Sequence, residues 1–199
     1  MTQAELPEEL NHEAAANDRT MFGFWVYLMT DLLMFSILFA VYAVLHGNTL
    51  GGPTARDLFS SRLALGETLI LLSSSFTCGI GLIAARNQQK RQTLFWFGMT
   101  FLLGLVFLTL ELREFSSLIH EGHTLRNNAF LSSFFVLVGT HGLHIISGLT
   151  WMAITLSFVV KRGLNKHIVR KLSMLSLYWH FLDLVWIFIF SVVYLMAFK

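Results

Sequence analysis

The residues best suited to chemistry lie in Tyr178-Trp179-His180-Phe181-Leu182-Asp183-Leu184-Val185-Trp186, inside a run from Leu172 to Phe198 that is otherwise almost wholly apolar. A histidine and a carboxylate three residues apart are able to ligate a metal, hold a haem or relay a proton. The run is about 27 residues, roughly 40 Å as a helix, enough to cross a bilayer. A charge at the centre of a membrane helix costs about 2.5–3.5 kcal/mol, so such a residue needs a partner or a change of protonation. Trp179, Asp183 and Trp186 follow at i, i+4 and i+7, with His180 at the edge of their face. Leu177, Leu184 and Ile187 form the opposite, lipid-compatible face. A polar and aromatic face of this kind is for meeting protein.

Other apolar runs carry further candidates. Asp31 lies in the first and Glu67 near the start of the second. Glu111 and Glu114 leave the exit end of the third, and His141 and His144 share a stripe with Gly148 and Trp151 in the fourth. Three intramembrane histidines raise the question of haem, and His144 with His180 would supply two axial ligands from facing helices. The plainer reading is that the histidines hold helices together by hydrogen bonds. A carboxylate-bridged di-metal site calls for Glu-x-x-His inside a span, and none occurs. His120 and His123 have zinc-like spacing but flank a glycine in a segment that reads as loop. Asp31, Asp183 and the histidines would form the inner half of a proton path, and the glutamates its outer half. Ser73, Ser74 and Ser75 lie in a packing stripe with no histidine near them in sequence, which gives a nucleophilic triad little support. Glu111, Arg113 and Glu114 read more simply as anchors of a helix end at the interface.

The elements that position these residues follow from composition. Of 199 residues 55% are hydrophobic and 13% charged, with mean hydropathy +0.63; soluble domains carry about 25% charged residues. The pattern is that of an all-α, polytopic membrane protein with five transmembrane helices, at about 22–45, 63–85, 94–112, 129–160 and 172–198. Residues 1–20 are acidic and lack the basic start and short apolar core of a signal peptide, so they read as a mobile cytoplasmic tail. Small residues on one face of the second span (Ser74, Cys78 and Gly81, with Glu67 and Leu71) let a neighbour approach closely. Cys78 is the single cysteine, which excludes an intrachain disulfide. Basic residues sit between apolar runs instead of on one patch, which argues against nucleic acid.

Lysine and arginine orient the chain. Arg19, Arg86, Lys90, Arg91, Lys161, Arg162, Lys166, Arg170 and Lys171 fall on one side; Arg56, Arg62, Arg113, Arg126 and Lys199 fall on the other. The positive-inside rule puts the N-terminus in the cytoplasm and the C-terminus outside. Glu67, Glu111 and Glu114 then lie toward the outer face. Asp31, His141, His144, His180 and Asp183 lie from the middle toward the inner face. Helix order decides whether either group is one cluster.

The block from Tyr178 to Trp186, His141-Gly142-Leu143-His144 followed by Gly148, Glu67 at the head of the second span, and Phe22-Gly23-Phe24-Trp25-Val26-Tyr27-Leu28-Met29-Thr30-Asp31 together resemble subunit III of the haem–copper terminal oxidases. The likeness covers about residues 20–199 and is strongest to the cytochrome o ubiquinol oxidase branch. It implies a cytochrome oxidase subunit III-like fold and a chain that binds no haem or copper. Haem b, haem o and copper are expected in a partner subunit I, beside subunit II and a small subunit IV. It implies a multi-pass protein of the bacterial inner membrane, in a complex that oxidises quinol, reduces dioxygen to water and moves protons outward. The family's second-helix carboxylate, matched here by Glu67, is expected beside a lipid-holding cleft. Subunit III of a cytochrome c oxidase and a self-sufficient b-type haem protein are the alternatives.

Overall fold

The computed structural model describes residues 8–46, 61–120 and 129–195. They form five long helices: α1 (Glu8–Leu45), α2 (Ser61–Arg86), α3 (Lys90–His120), α4 (Ala129–Arg162) and α5 (Lys166–Ile189), the last running on into a π-helical turn, Phe190–Leu195. All five are long and apolar enough to cross a membrane, over Arg19–Leu45, Leu63–Arg86, Lys90–His120, Ala129–Arg162 and Lys166–Tyr194. The expected all-α architecture of five spans is what the chain adopts.

The boundaries differ from expectation where polar residues join a helix. α1 begins at Glu8, within the acidic stretch read as a tail. The third helix does not stop at Leu112 but continues to His120, so much of the segment read as loop is helical. The basic connection from Lys161 to Lys171 shrinks to a turn around Gly163-Leu164-Asn165. Gly163 has φ +73°, a conformation glycine adopts without steric cost. Asn165 then caps α5, its Oδ1 accepting from the Ile168 N–H at 2.9 Å. A helix satisfies its backbone hydrogen bonds internally whatever its side chains, so it continues past the end of the apolar stretch.

α5 is the axis of the bundle. α1 packs on α4 and on α5; α2 packs on α3 and α5; α4 joins α3 to α5. Leu172, Leu175, Tyr178, Trp179, Leu182, Val185, Trp186 and Ile189 of α5 are all buried. The close approaches occur at glycines. A Cβ on Gly104 of α3 would stand 2.8 Å from the Trp179 ring, and one on Gly148 of α4 would stand 3.1 Å from the Tyr178 ring and 3.2 Å from Trp179. A Cβ on Gly81 of α2 would come within 2.9 Å of Phe97 on α3, as the small-residue stripe suggested. Trp179 therefore fills a slot cut between α3 and α4, while its indole N–H donates to Ser74 Oγ of α2 at 3.0 Å.

This slot is testable. Gly104→Val forces a branched side chain into the Trp179 ring, an overpacking that costs about 1–3 kcal/mol. Ser74→Ala leaves the buried indole N–H unanswered, at about 1–3 kcal/mol. Both variants are expected to unfold several degrees below the parent in detergent. Parent-like melting of both would remove Trp179 from its central place.

Candidate functional site

The ionisable residues of the spans fall into three seams and one core position, and a buried Thr77–Thr100 hydroxyl pair at 2.8 Å joins α2 to α3 besides. The first seam joins α5 to α2, which run antiparallel. Besides Trp179 to Ser74, the Trp186 indole N–H donates to Thr68 Oγ1 at 3.2 Å. One residue on from Trp179, the Ser75 hydroxyl is bonded to His180 Nδ1. The other ring nitrogen of His180 meets Ser176 Oγ at 3.4 Å, and the Cys78 thiol donates to that same hydroxyl at 3.5 Å. Asp183 is buried beside Ser75, but its oxygens reach hydrogen-bond geometry with no described residue. Trp179, Asp183 and Trp186 are buried while Leu184 and Ile187 are exposed, as expected of the two faces of α5, but Leu177 is half-buried against the core and His180 is exposed.

Ser75 does contact a histidine, contrary to the sequence reading, because α2 and α5 pair across 105 positions. The trio of Ser75, His180 and Asp183 is nevertheless not ordered as a nucleophilic relay. In such a relay the carboxylate orients the ring nitrogen remote from the serine. Here that nitrogen faces Ser176 instead.

The second seam joins α1, α4 and α5. Asp31 Oδ2 lies 3.7 Å from His144 Nε2. His144 Nδ1 is 2.7 Å from the Thr140 carbonyl, which only accepts, so Nδ1 carries a proton. Nε2 is then the nitrogen that faces the carboxyl. Tyr27 lies beside Asp31 and stacks on Tyr178, at 6.4 Å between ring centroids. The Tyr178 hydroxyl in turn lies 2.8 Å from Ser147 Oγ and donates to the His144 carbonyl at 3.2 Å.

The third group lies toward the ends of α3 and the π-helical turn. Glu67, Glu111, Glu114 and Tyr194 are within electrostatic reach of one another. A π turn takes in one residue more than an α turn, and this one buries Val193 and Tyr194. The Tyr194 hydroxyl donates to Glu114 Oε2 at 3.3 Å. Neither carboxyl oxygen of Glu67 or of Glu111 has a hydrogen-bond partner among the described residues. The three outer glutamates are thus brought together as depth suggested. The interface-anchor reading fits exposed Arg113 but fails for Glu111, which is buried against α4, where a Cβ on Gly142 would be 3.9 Å from Oε1. Glu67 is 0% exposed within the chain and points inward.

His141 belongs to none of these seams. It is buried among rings, stacked on Trp186 at 5.4 Å and edge-on to Phe107 at 6.1 Å and Phe35 at 6.4 Å. Both its nitrogens are buried without a hydrogen-bond partner among the described residues.

This geometry separates the inner group of ionisable residues into different seams. His144 faces α1 and His180 faces α2, so the two do not form the facing pair that an axially ligated haem requires. Among the described residues no three of His, Cys, Asp and Glu lie close enough to hold a metal ion. His120 is exposed at the end of α3, and His123 falls outside the described residues. Ser74 and Ser75 lie in the packing stripe legible in the sequence, whereas the neutral partners Thr68, Ser147 and Ser176 escaped it. Their only local signal was a hydroxyl on an inward face.

Comparison with known proteins follows the same outline. The sequence model of the family described as cytochrome c oxidase subunit III matches residues 4–198. The chain is 47% identical to a cytochrome bo(3) ubiquinol oxidase subunit 3 of Pseudomonas aeruginosa, over 97% of this chain and 92% of that one. It is 48% identical to the protein of the same name from Pseudomonas putida, over 89% of this chain and 86% of that one. It is also 42% identical to a cytochrome c oxidase subunit 3 from Bacillus sp. strain PS3, over 99% of this chain and 96% of that one. Likeness sustained from end to end, on five spans knit along α5, makes this chain a member of the cytochrome c oxidase subunit III family of the haem–copper terminal oxidases.

Proposed function

We propose that this chain is the non-catalytic subunit III of a bacterial, proton-pumping cytochrome o-type ubiquinol oxidase, in which quinol oxidation is coupled to reduction of dioxygen to water. The observation that carries this reading is identity of 45–48% to three proteins named cytochrome bo(3) ubiquinol oxidase subunit 3, sustained over at least 89% of the chain. The use of its polar groups supports it. Most of the hydrogen bonds between helices are made by indoles, hydroxyls and a thiol, groups suited to fastening and not to electron transfer. In the complex the chain stabilises subunit I, which carries haem b, haem o and copper, alongside subunit II and a small subunit IV. It lies in the inner membrane with its N-terminus cytoplasmic and its C-terminus periplasmic. Large exposed side chains such as Phe22, Leu33 and Leu143 give it an exterior that holds phospholipid.

Affinity purification of the chain from its native membrane tests the reading. A haem-bearing partner is expected with it at constant ratio, and recovery of the chain alone overturns it. A non-catalytic role also implies that Glu67→Gln and Glu111→Gln leave oxygen consumption per haem within about twofold of the parent. An immediate loss of turnover in a fully assembled complex would contradict this. The Asp31–His144 pair should couple as a fastening. Asp31→Leu or His144→Leu alone strands the other partner, so the double variant should lose less than the sum, by about 0.5–3 kcal/mol in thermal stability. Strict additivity would show that the two side chains act independently.

A further inference from the structure

Three carboxyls gather at the end of the bundle where α2 begins and α3 and the π-helical turn finish. Glu67 lies one turn inside the span Leu63–Arg86, and Tyr194 closes the span Lys166–Tyr194. Glu67 and Glu111 are 0% and 3% exposed, and neither oxygen of either carboxyl has a hydrogen-bond partner among the described residues. Glu114 is half-buried one turn nearer the helix end, where it accepts from the Tyr194 hydroxyl.

The surrounding elements supply no countercharge. On α2 the neighbouring Thr68 is engaged by the Trp186 indole. On α4 the group meets Gly142, which has no side chain to answer Glu111. His141, the next residue, is stacked on Trp186. The π-helical turn contributes Tyr194. Among the described residues no lysine, arginine or histidine forms an ion pair with any of the three carboxyls, and no three of His, Cys, Asp and Glu lie close enough to hold a metal ion.

Two physical consequences follow. Carboxylates within electrostatic reach of one another in a membrane interior, with no cation among them, do not all stay ionised. Deeply buried oxygens cost about 1–3 kcal/mol each when unanswered, and where polar groups converge ordered water commonly answers them.

The group is closed on its inward side. One turn deeper, Leu71 of α2 and Phe107 of α3 are buried, and Phe107 stands edge-on to the buried Trp186 ring at 4.7 Å. Asp31 is paired with His144, and His180 is bonded to Ser75, in other seams. The inner and outer halves of the proton path suggested by the sequence are therefore not joined.

We propose that Glu67, Glu111 and Glu114 form an internal proton-binding site, in which the carboxyls share protons through bound water and exchange them with the exterior at the Glu114 end. The site stores protons and does not conduct them across the membrane. The Glu114 end is the outer one in the orientation given above, and that assignment of side is the one part that rests on the functional reading.

Infrared difference spectroscopy of the purified, intact complex tests the site. It distinguishes the carbonyl band of a protonated carboxyl from the bands of an ionised one. Subtracting Glu67→Gln or Glu111→Gln from the parent at neutral pH cancels the carboxyls elsewhere in the complex. At least one of the two differences is expected to show loss of a protonated-carboxyl band, and transfer of the parent to D2O is expected to shift that band. Where a glutamine variant does not assemble, Glu67→Asp or Glu111→Asp keeps the acid and should move the band without removing it. Loss of ionised bands alone in both differences, or a protonated band that ignores D2O, overturns the site. Glu114→Gln should slow the D2O shift severalfold, and unchanged exchange overturns entry at Glu114. The bands report the proton and not turnover, which does not pass through a closed store. They are read with or without a haem-bearing partner in the preparation, so failure of the functional reading, decided by co-purification, is seen separately.

Discussion

The Trp179 indole is the point at which four of the five helices meet. Its N–H answers Ser74 on α2, and its ring occupies the missing side chains of Gly104 on α3 and Gly148 on α4. This arrangement follows from the solvent. Lipid tails are as apolar as leucine, so burial of apolar surface does not drive membrane helices together. Close packing and internally satisfied hydrogen bonds remain. A tryptophan supplies both, provided that glycine makes room for the ring and a hydroxyl meets the nitrogen. Two turns later the solution recurs, with the Trp186 N–H on Thr68 and its ring against His141 and Phe107.

The half of this design that resides in α5 was legible in the sequence. Trp179, Asp183 and Trp186 recur at helical spacing, and the opposite face carries Leu184 and Ile187, so the inward direction needed no knowledge of the neighbours. The half supplied by α2 was not legible. Ser74, Ser75 and Thr68 look like ordinary small residues until α5 is laid beside them, more than a hundred residues along the chain. Helix order also decides the fate of residues at one depth. The outer glutamates gather, whereas His141, His144 and His180 disperse into a ring-lined core and two different seams. Hydropathy marks where hydrocarbon ends, not where hydrogen bonding ends. That is why α3 outruns its apolar stretch to His120 and α5 begins at Lys166. The Gly163 and Asn165 signals for that second boundary were present, but they were overshadowed by the surrounding charge.

The sequence suggested that ionisable side chains fasten the helices. In the structure that task falls mainly to neutral groups. Asp31 and Glu114 have partners within the chain, while Glu67, Glu111, His141 and Asp183 are buried with no hydrogen bond among the described residues. A buried polar group left in this condition costs about 1–3 kcal/mol, and a well-packed apolar replacement is often neutral or stabilising. Stability of the isolated bundle therefore gives no reason for these four residues. They separate what holds this chain together from what the chain contributes to an assembly.

The electron donor bears on that separation. Relatives named quinol oxidase subunit 3, from Bacillus subtilis, and cytochrome c oxidase subunit 3, from Bacillus sp. strain PS3, are each 42% identical to this chain. If subunit III touched the donor, a change from a lipid-soluble quinol to a soluble haem protein would divide its relatives along that line. The identities to these two do not divide, and the proteins named cytochrome bo(3) ubiquinol oxidase subunit 3 stand only a little higher, at 45–48%. The α5 axis of this chain is a set of packing contacts that involves no electron donor. A helix that sends its indoles inward to α2, α3 and α4 meets the requirements of a subunit that packs and leaves the redox chemistry to its neighbours.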